Sequence, residues 1–211
     1  MFLSKKYAMN RIFGCVMLVA GAVLLQGCGT TSGLKSADEA TVLDFSGYDR
    51  VVVLDFADQT NKSGMKADKR VLYEAKTATA TRIFAEMIAA EIRKTGAYAE
   101  VLREPSGQPA ITVSGTIIVY KEGNAAARAL IGLGAGSSYF DAEVLFSDLI
   151  TSERLADVRV DKNSWALGGG LAAGQTVEHF MQGAAKKIAR ELAQAKSGDP
   201  DTLLAKAGGK Q

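Results

Sequence analysis

The sequence predicts an α+β domain, a two-layer sandwich in which a mixed, mostly antiparallel sheet of about five strands carries two helices on one face. Two segments repeat apolar residues at helical spacing, so each helix has a single stripe to bury. The short runs around them are β-branched throughout or alternate apolar with polar. The resulting order is β-α-β-β-β-β-α, with no internal repeat.

Val51-Val52-Val53-Leu54 is apolar on both faces and reads as a central strand. Asp58 to Gly64 is a polar loop. In the helix that follows, Ile83, Phe84, Met87, Ile88 and Ile92 form one stripe; Arg93 and Lys94 sit in its last turn and Gly96 ends it. Tyr98 to Leu102 is a short strand, and Pro105 and Pro109 bracket a turn. From Ile111 to Lys121, Ile111, Val113, Ile117 and Val119 share one face, with Thr112, Ser114 and Thr116 on the other. Phe140, Ala142, Val144 and Phe146 alternate with Asp141, Glu143 and Ser147, and a tight connection at 149–152 leads to a strand at 153–160. That connection lacks the glycine of a tight hairpin, which leaves its register open. The last helix runs from about Thr176 to Ala195, burying Val177, Phe180, Met181, Ala184, Ile188 and Leu192 before Gly198 and Pro200 stop it.

The N-terminus carries the most specific signal. Lys5, Lys6 and Arg11 precede an apolar run, Ile12 to Leu25, too short to cross a ~30 Å bilayer comfortably. Leu25-Gln26-Gly27-Cys28 then reads as a lipobox, in which cleavage before Cys28 exposes it for acylation. An ordinary secretory signal or a single membrane anchor is the alternative. Residues 1–27 are thus expected to be a signal peptide, 28–45 a flexible tether after a lipidated cysteine, 46–196 the domain and 197–211 a disordered tail. Gly29 stands where aspartate would mark inner-membrane retention, so the expected location is the outer membrane, facing the periplasm.

Composition narrows the function. The chain has 25 Lys+Arg and 23 Asp+Glu; residues 1–27 hold three of the basic and none of the acidic ones, leaving 22 against 23. A near-neutral domain of mixed sign does not suit a row of phosphates, so nucleic acid is not an expected partner. Cys15 leaves with the signal and Cys28 is used for lipid, so no disulfide is expected. His179 is the only histidine and has no cysteine partner, so no metal site is expected. No Gly-x-Ser-x-Gly elbow presents a nucleophile. Asp55, Asp58, Asp141 and Glu143 have the residue types for acid–base work but read as turn and surface carboxylates. Gly132-Leu133-Gly134-Ala135-Gly136 is G-x-G-x-G and leads into a strand, the wrong order for a dinucleotide loop. Trp165 to Gly174 does lead from strand to helix but carries no Lys, Arg or Ser to hold an anion. No cofactor is expected, nor is enzymatic activity.

Short local links make strands 111–121, 138–148 and 153–160 run up, down and up, so 122–137 and 161–174 should project from one end of the sheet. Together they carry Ala125 to Ala127, Leu130, Ile131, Leu133, Trp165, Leu167 and Leu171, with Arg128 as the one strong charge. Arg128, Leu130, Ile131, Gly132, Leu133, Gly134, Gly136, Trp165 and Leu167 are therefore the candidate partner-binding residues. The loops either cap their own core, dock on another protein or touch a membrane.

The strand Ile111–Tyr120, the stretch Arg128-Ala-Leu-Ile-Gly-Leu-Gly-Ala-Gly136, the alternating strand Ser138–Asp148, the opening Val51–Phe56 strand and the closing helix carry a resemblance. On them the chain is similar to the envelope lipoproteins catalogued as domain of unknown function 4410, over roughly residues 46–196. The resemblance implies a fold and a cell-envelope location but no reaction. The expected function is a non-enzymatic, outer-membrane-anchored module that binds an envelope protein, or itself, through the two loops. Alternatives are a subunit of an oligomeric envelope or export complex, and a hydrolase or ligand-binding domain for cell-envelope fragments.

Overall fold

The computed structural model describes residues 29–38, 43–124, 136–163 and 176–198. Strands β1 (Gly29–Thr31), β2 (Lys35–Ser36), β3 (Arg50–Val53) and β4 (Ala57–Asp58) precede helix α1 (Ala67–Thr95). Strands β5 (Glu100–Leu102), β6 (Ile111–Lys121), β7 (Tyr139–Asp148) and β8 (Arg154–Asn163) follow, then helix α2 (Val177–Ser197). They form one mixed sheet in the order β1-β8-β7-β6-β3-β5, with β2 also on β8 and β4 also on β6. The α+β sandwich expected from the sequence is present, with eight strands rather than about five. The additional three, β1, β2 and β4, have two or three residues each, too few to show a periodicity.

β3 lies between β5 and β6 and is parallel to both, as its doubly apolar run requires. β6, β7 and β8 form an antiparallel meander. The helices pack on each other, α1 over β3 to β6 and α2 over β7 and β8. Phe84 of α1 sits at the centre of the core, its ring 4.9 Å from Phe56 and 5.0 Å from Phe140. Every apolar residue expected in the α2 stripe is buried. In α1 the stripe differs: Thr77, Ala80, Thr81, Phe84, Ala85, Ile88, Ala89 and Ile92 face the core, whereas Ile83 is exposed and Met87 half-buried. Small residues line this contact because α1 lies close against α2 and the sheet, which a count of large apolar residues overlooks.

The register of β6 shifts between Ile117 and Val119. This bulge turns Tyr120, in place of Val119, toward the core. Earlier in the strand, a Cβ at Gly115 would lie 2.0 Å from the Glu143 carbonyl oxygen, so only glycine fits there. The β7–β8 hairpin closes without glycine. Asp148 accepts from the Ile150 and Thr151 N–H groups at 2.8 and 2.7 Å, and Ser152 takes the left-handed conformation at φ 61°.

The expected tether at 28–45 is corrected over much of its length. Gly29, Thr30 and Thr31 pair with Lys162, Asp161 and Val160, and Lys35 and Ser36 pair with Asp157 and Ala156. Phe45 is in the core. Without β1 and β2, the ten-residue strand β8 would present an open edge, and the N-terminal segment satisfies its backbone groups. The carboxylate of Glu191, buried in α2, accepts from the Leu34 N–H, and Lys187 donates to the Thr31 carbonyl, fixing the strap to the helix layer. A Gly-Thr-Ser composition hides all of this, because the pairing is backbone to backbone.

Candidate functional site

Lys121 of β6, Tyr139 of β7 and Asn163 of β8 lie on one row of the sheet. The chain segments after β6 and after β8 therefore leave from the same end, as the up-down-up order requires. The root of the first is tied: the Asn124 N–H donates to the Gly136 carbonyl at 2.8 Å, and the Gly123 N–H to Ser138 Oγ at 3.1 Å. Gly136 has φ 68°, a conformation that favours glycine. Of the candidate residues, Gly136 alone is described. Arg128, Leu130, Ile131, Gly132, Leu133, Gly134, Trp165 and Leu167 lie outside the described residues, as do Leu25, Gln26, Gly27 and Cys28.

Two features that sequence reasoning missed meet the same end. Gly29 pairs with Lys162, Lys162 with Phe140 and Phe140 with Tyr120, so the N-terminal strand starts on that row. Helix α1 also begins there, because β4 runs alongside Thr116 and Ile117 toward that end and a short loop leads into the helix. Asp58 pins this loop. It accepts from the Thr60 N–H at 2.9 Å, from Thr60 Oγ1 at 2.7 Å and from Thr77 Oγ1, and pairs with Lys62 at 2.9 Å. Burial opposes ionisation of Asp58, but the bonds from Thr77, Thr60 and Lys62 prevail and hold its carboxyl far below the usual range.

Beyond this pin α1 outruns the sheet. The Tyr73 hydroxyl donates to the Tyr120 carbonyl at 2.8 Å, Lys76 pairs with Glu122, and nothing from Ala67 to Leu72 is buried. Val71 is 68% and Leu72 61% exposed, and Met65 precedes them at 37%. The signal was visible as a break in the pattern, since Val71 and Leu72 fall outside the stripe set by Phe84, Ile88 and Ile92.

Beneath the overhang, Lys76, Thr79, Ile83, Tyr120, Glu178 and Met181 line a cavity of about 370 Å³. The Tyr120 hydroxyl donates to Glu122 at 3.1 Å, and burial followed by the Glu122 charge pushes the phenol well above its ordinary range. Tyr120 therefore stays a neutral donor, and Lys76 and Glu122 neutralise each other.

The acidic candidates do not converge. Asp55 pairs with Arg103, which also reaches Glu86 at 3.0 Å and the Val53 carbonyl. Asp58 serves the loop pin. Asp141 points away from the helices, opposite Asp161 on β8; burial and then the Asp161 charge raise its pKa. Glu143 pairs loosely with Arg159 at 3.4 Å on that same face. His179 is exposed in the first turn of α2, where its N–H donates to the Thr176 cap at 3.3 Å. Among the described residues no three His, Cys, Asp or Glu are grouped to hold a metal, and no helix is long and apolar enough to cross a membrane.

The fold and this end define a two-layer α+β domain with a pinned, partly apolar helix start beside two connecting segments. Residues 51–168 match the family described as Domain of unknown function (DUF4410), and the chain belongs to it. No curated protein matches the chain. Among solved structures it is similar to a single-substitution variant of the PelC dodecamer from Paraburkholderia phytofirmans, with 13% identity, 78% of this chain and 98% of that chain covered, and a TM-score of 0.51. A second crystal form of the PelC dodecamer from the same organism gives 14% identity, coverage of 80% and 97%, and a TM-score of 0.45. At such identities the likeness is one of fold.

Proposed function

We propose that this protein is a lipid-anchored periplasmic lipoprotein of the outer membrane, modified on Cys28, and that it acts as a non-enzymatic binding or assembly module. The observation that carries this is that the strand ends leading into both Gly/Ala-rich connections lie at the end of the sheet where the exposed start of α1 also lies. Apolar surface so placed is costly unless a partner covers it. A non-enzymatic role is further supported by the carboxylates: Asp55 and Asp58 are held in separate ion pairs, and Asp141 and Glu143 lie apart from both on the sheet face away from the helices. Arg128, Leu130, Ile131, Leu133, Trp165 and Leu167 would supply the contacts from the loops. A second reading, a subunit of an oligomeric envelope complex, draws support from the similarly folded PelC, whose structure is a dodecamer. The loops would then meet neighbouring copies.

A photo-crosslinking residue at Ile131 in cells tests both. A discrete adduct of heterologous mass, weakened by Arg128→Glu, is expected for a binding module, and a ladder of self-adducts for an oligomer. No adduct at Ile131 would mean that the loops cap their own core. Separately, Cys28→Ala should leave unlipidated precursor, and a membrane-anchored, normally sized mature form in that variant would end the lipoprotein reading.

A further inference from the structure

The register of β1 has a consequence for how the domain sits once anchored. Cys28 is joined to Gly29, and consecutive Cα atoms lie about 3.8 Å apart. Gly29 is already paired with Lys162, so no slack separates the anchoring residue from the sheet. The row that contains Gly29 continues through Lys162 and Phe140 to Tyr120, whose carbonyl accepts from Tyr73. Residues 65–72 lie beyond Tyr73 on the side where the chain emerges toward Cys28. The six steps of helical rise from Ala67 to Tyr73 carry the helix start about 9 Å past that row.

The chemistry of that projection is interfacial. Met65, Val71 and Leu72 are exposed apolar side chains, and Lys62, Lys66, Lys69 and Arg70 surround them against a single acidic residue, Asp68, between positions 62 and 72. Lys62 and Arg70 are paired with Asp58 and Glu74, whereas Lys66 and Lys69 have no acidic partner among the described residues. Lysine mixed with exposed leucine, valine and methionine matches the boundary of an anionic bilayer, with the apolar groups among the acyl chains and the ammonium groups at the phosphates. The geometry points to a second membrane contact: the start of α1 rests on the phospholipid surface that holds the lipid of Cys28, so that the domain stands with this end down. The inference rests on the lipid-anchor reading above.

The full, lipidated chain is placed in vesicles of phosphatidylethanolamine and phosphatidylglycerol, with a nitroxide on Leu72→Cys or, at the opposite end, on Ile150→Cys. The Leu72 label should relax several-fold more with oxygen, which partitions into lipid, than with a water-soluble relaxant; the Ile150 label should do the reverse. Water-like behaviour at both positions would overturn the inference. Shielding of the Leu72 label from both reagents would also overturn it, in favour of a protein partner on this surface. A flexible spacer inserted between Cys28 and Gly29 should abolish the oxygen preference at Leu72, and its retention would show that the strand register does not orient the domain. Mass spectrometry of Cys28 separates the two readings: an unacylated cysteine removes the anchor and the inference together, whereas an acylated cysteine with Leu72 in water removes the inference alone.

Discussion

The two ends of the sheet are built differently. At the end where β7 turns into β8, side chains and backbone close on one another. The Tyr98 hydroxyl donates to the Leu192 carbonyl at 3.0 Å, Tyr48 to Asp148 at 2.8 Å, and the Leu149 N–H to the Ala110 carbonyl at 2.9 Å. Lys196 bonds both the Ser46 carbonyl and Asp49 at 2.9 Å. Both helices also finish there, on the left-handed glycines Gly96 and Gly198. At the opposite end the helices begin, α1 outruns the sheet, and Val71 and Leu72 stay in solvent. One end is closed by its own chain, with Ile150 as the exposed apolar side chain at the hairpin tip, and the other leaves Met65, Val71 and Leu72 grouped in solvent. The difference separates residues that hold the fold from residues available for binding, even within one helix.

Substitutions sharpen that separation. Phe84→Ala, in the packed half of α1, should cost about 3–5 kcal/mol through the cavity left between Phe56 and Phe140, read as a lowered denaturant midpoint. A smaller effect is expected from Glu191→Ala, about 1–3 kcal/mol, because the Leu34 N–H loses its acceptor. Hydrogen exchange at Thr30 and Thr31 should speed up in that variant, and unchanged protection of β1 would mean that the strap is held by β8 alone.

Asp141 tests the open face by pH. Its folded pKa is raised, by burial first and by Asp161 next, so the charged form is penalised in the native state above that pKa, and stability is regained as pH falls through it. Asp141→Asn should therefore stabilise by about 0.2–1 kcal/mol at neutral pH, with the gain shrinking toward acid. An equal gain at all pH values would exclude the carboxylate as its source. The smallest effect belongs to the unpacked half of α1: Leu72→Ser should shift stability by less than about 0.5 kcal/mol while weakening association at this end. A loss as large as that of Phe84→Ala would erase the contrast between the two halves.

The sequence carried much of this architecture. The α2 stripe, the β6 to β8 meander and the central β3 were legible because each buries one face at a regular period. The shared end of the two connections followed from strand direction alone. The strap was not legible, since Thr30, Thr31 and Ser36 contribute backbone pairing and little apolar patterning. The bulge that exchanges Val119 for Tyr120 was hidden because alternation has no marker for one extra residue. The start of α1 escaped notice because the helix was read only from its stripe at Ile83 to Ile92, and the meaning of Val71 and Leu72 lies in falling outside the core. Of the candidate binding residues, Gly136 alone has a described setting, while the rest lie in segments outside the described residues.

The most direct test is hydrogen–deuterium exchange across the whole chain, comparing the protein in native membranes with the same protein purified in detergent. Slower exchange confined to residues 65–76 and the two loop roots in the membrane sample is the expected result, with the hairpin at 149–152 unchanged. Equal exchange at both ends, or protection appearing at the hairpin instead, would contradict the assignment of binding to the end where α1 begins.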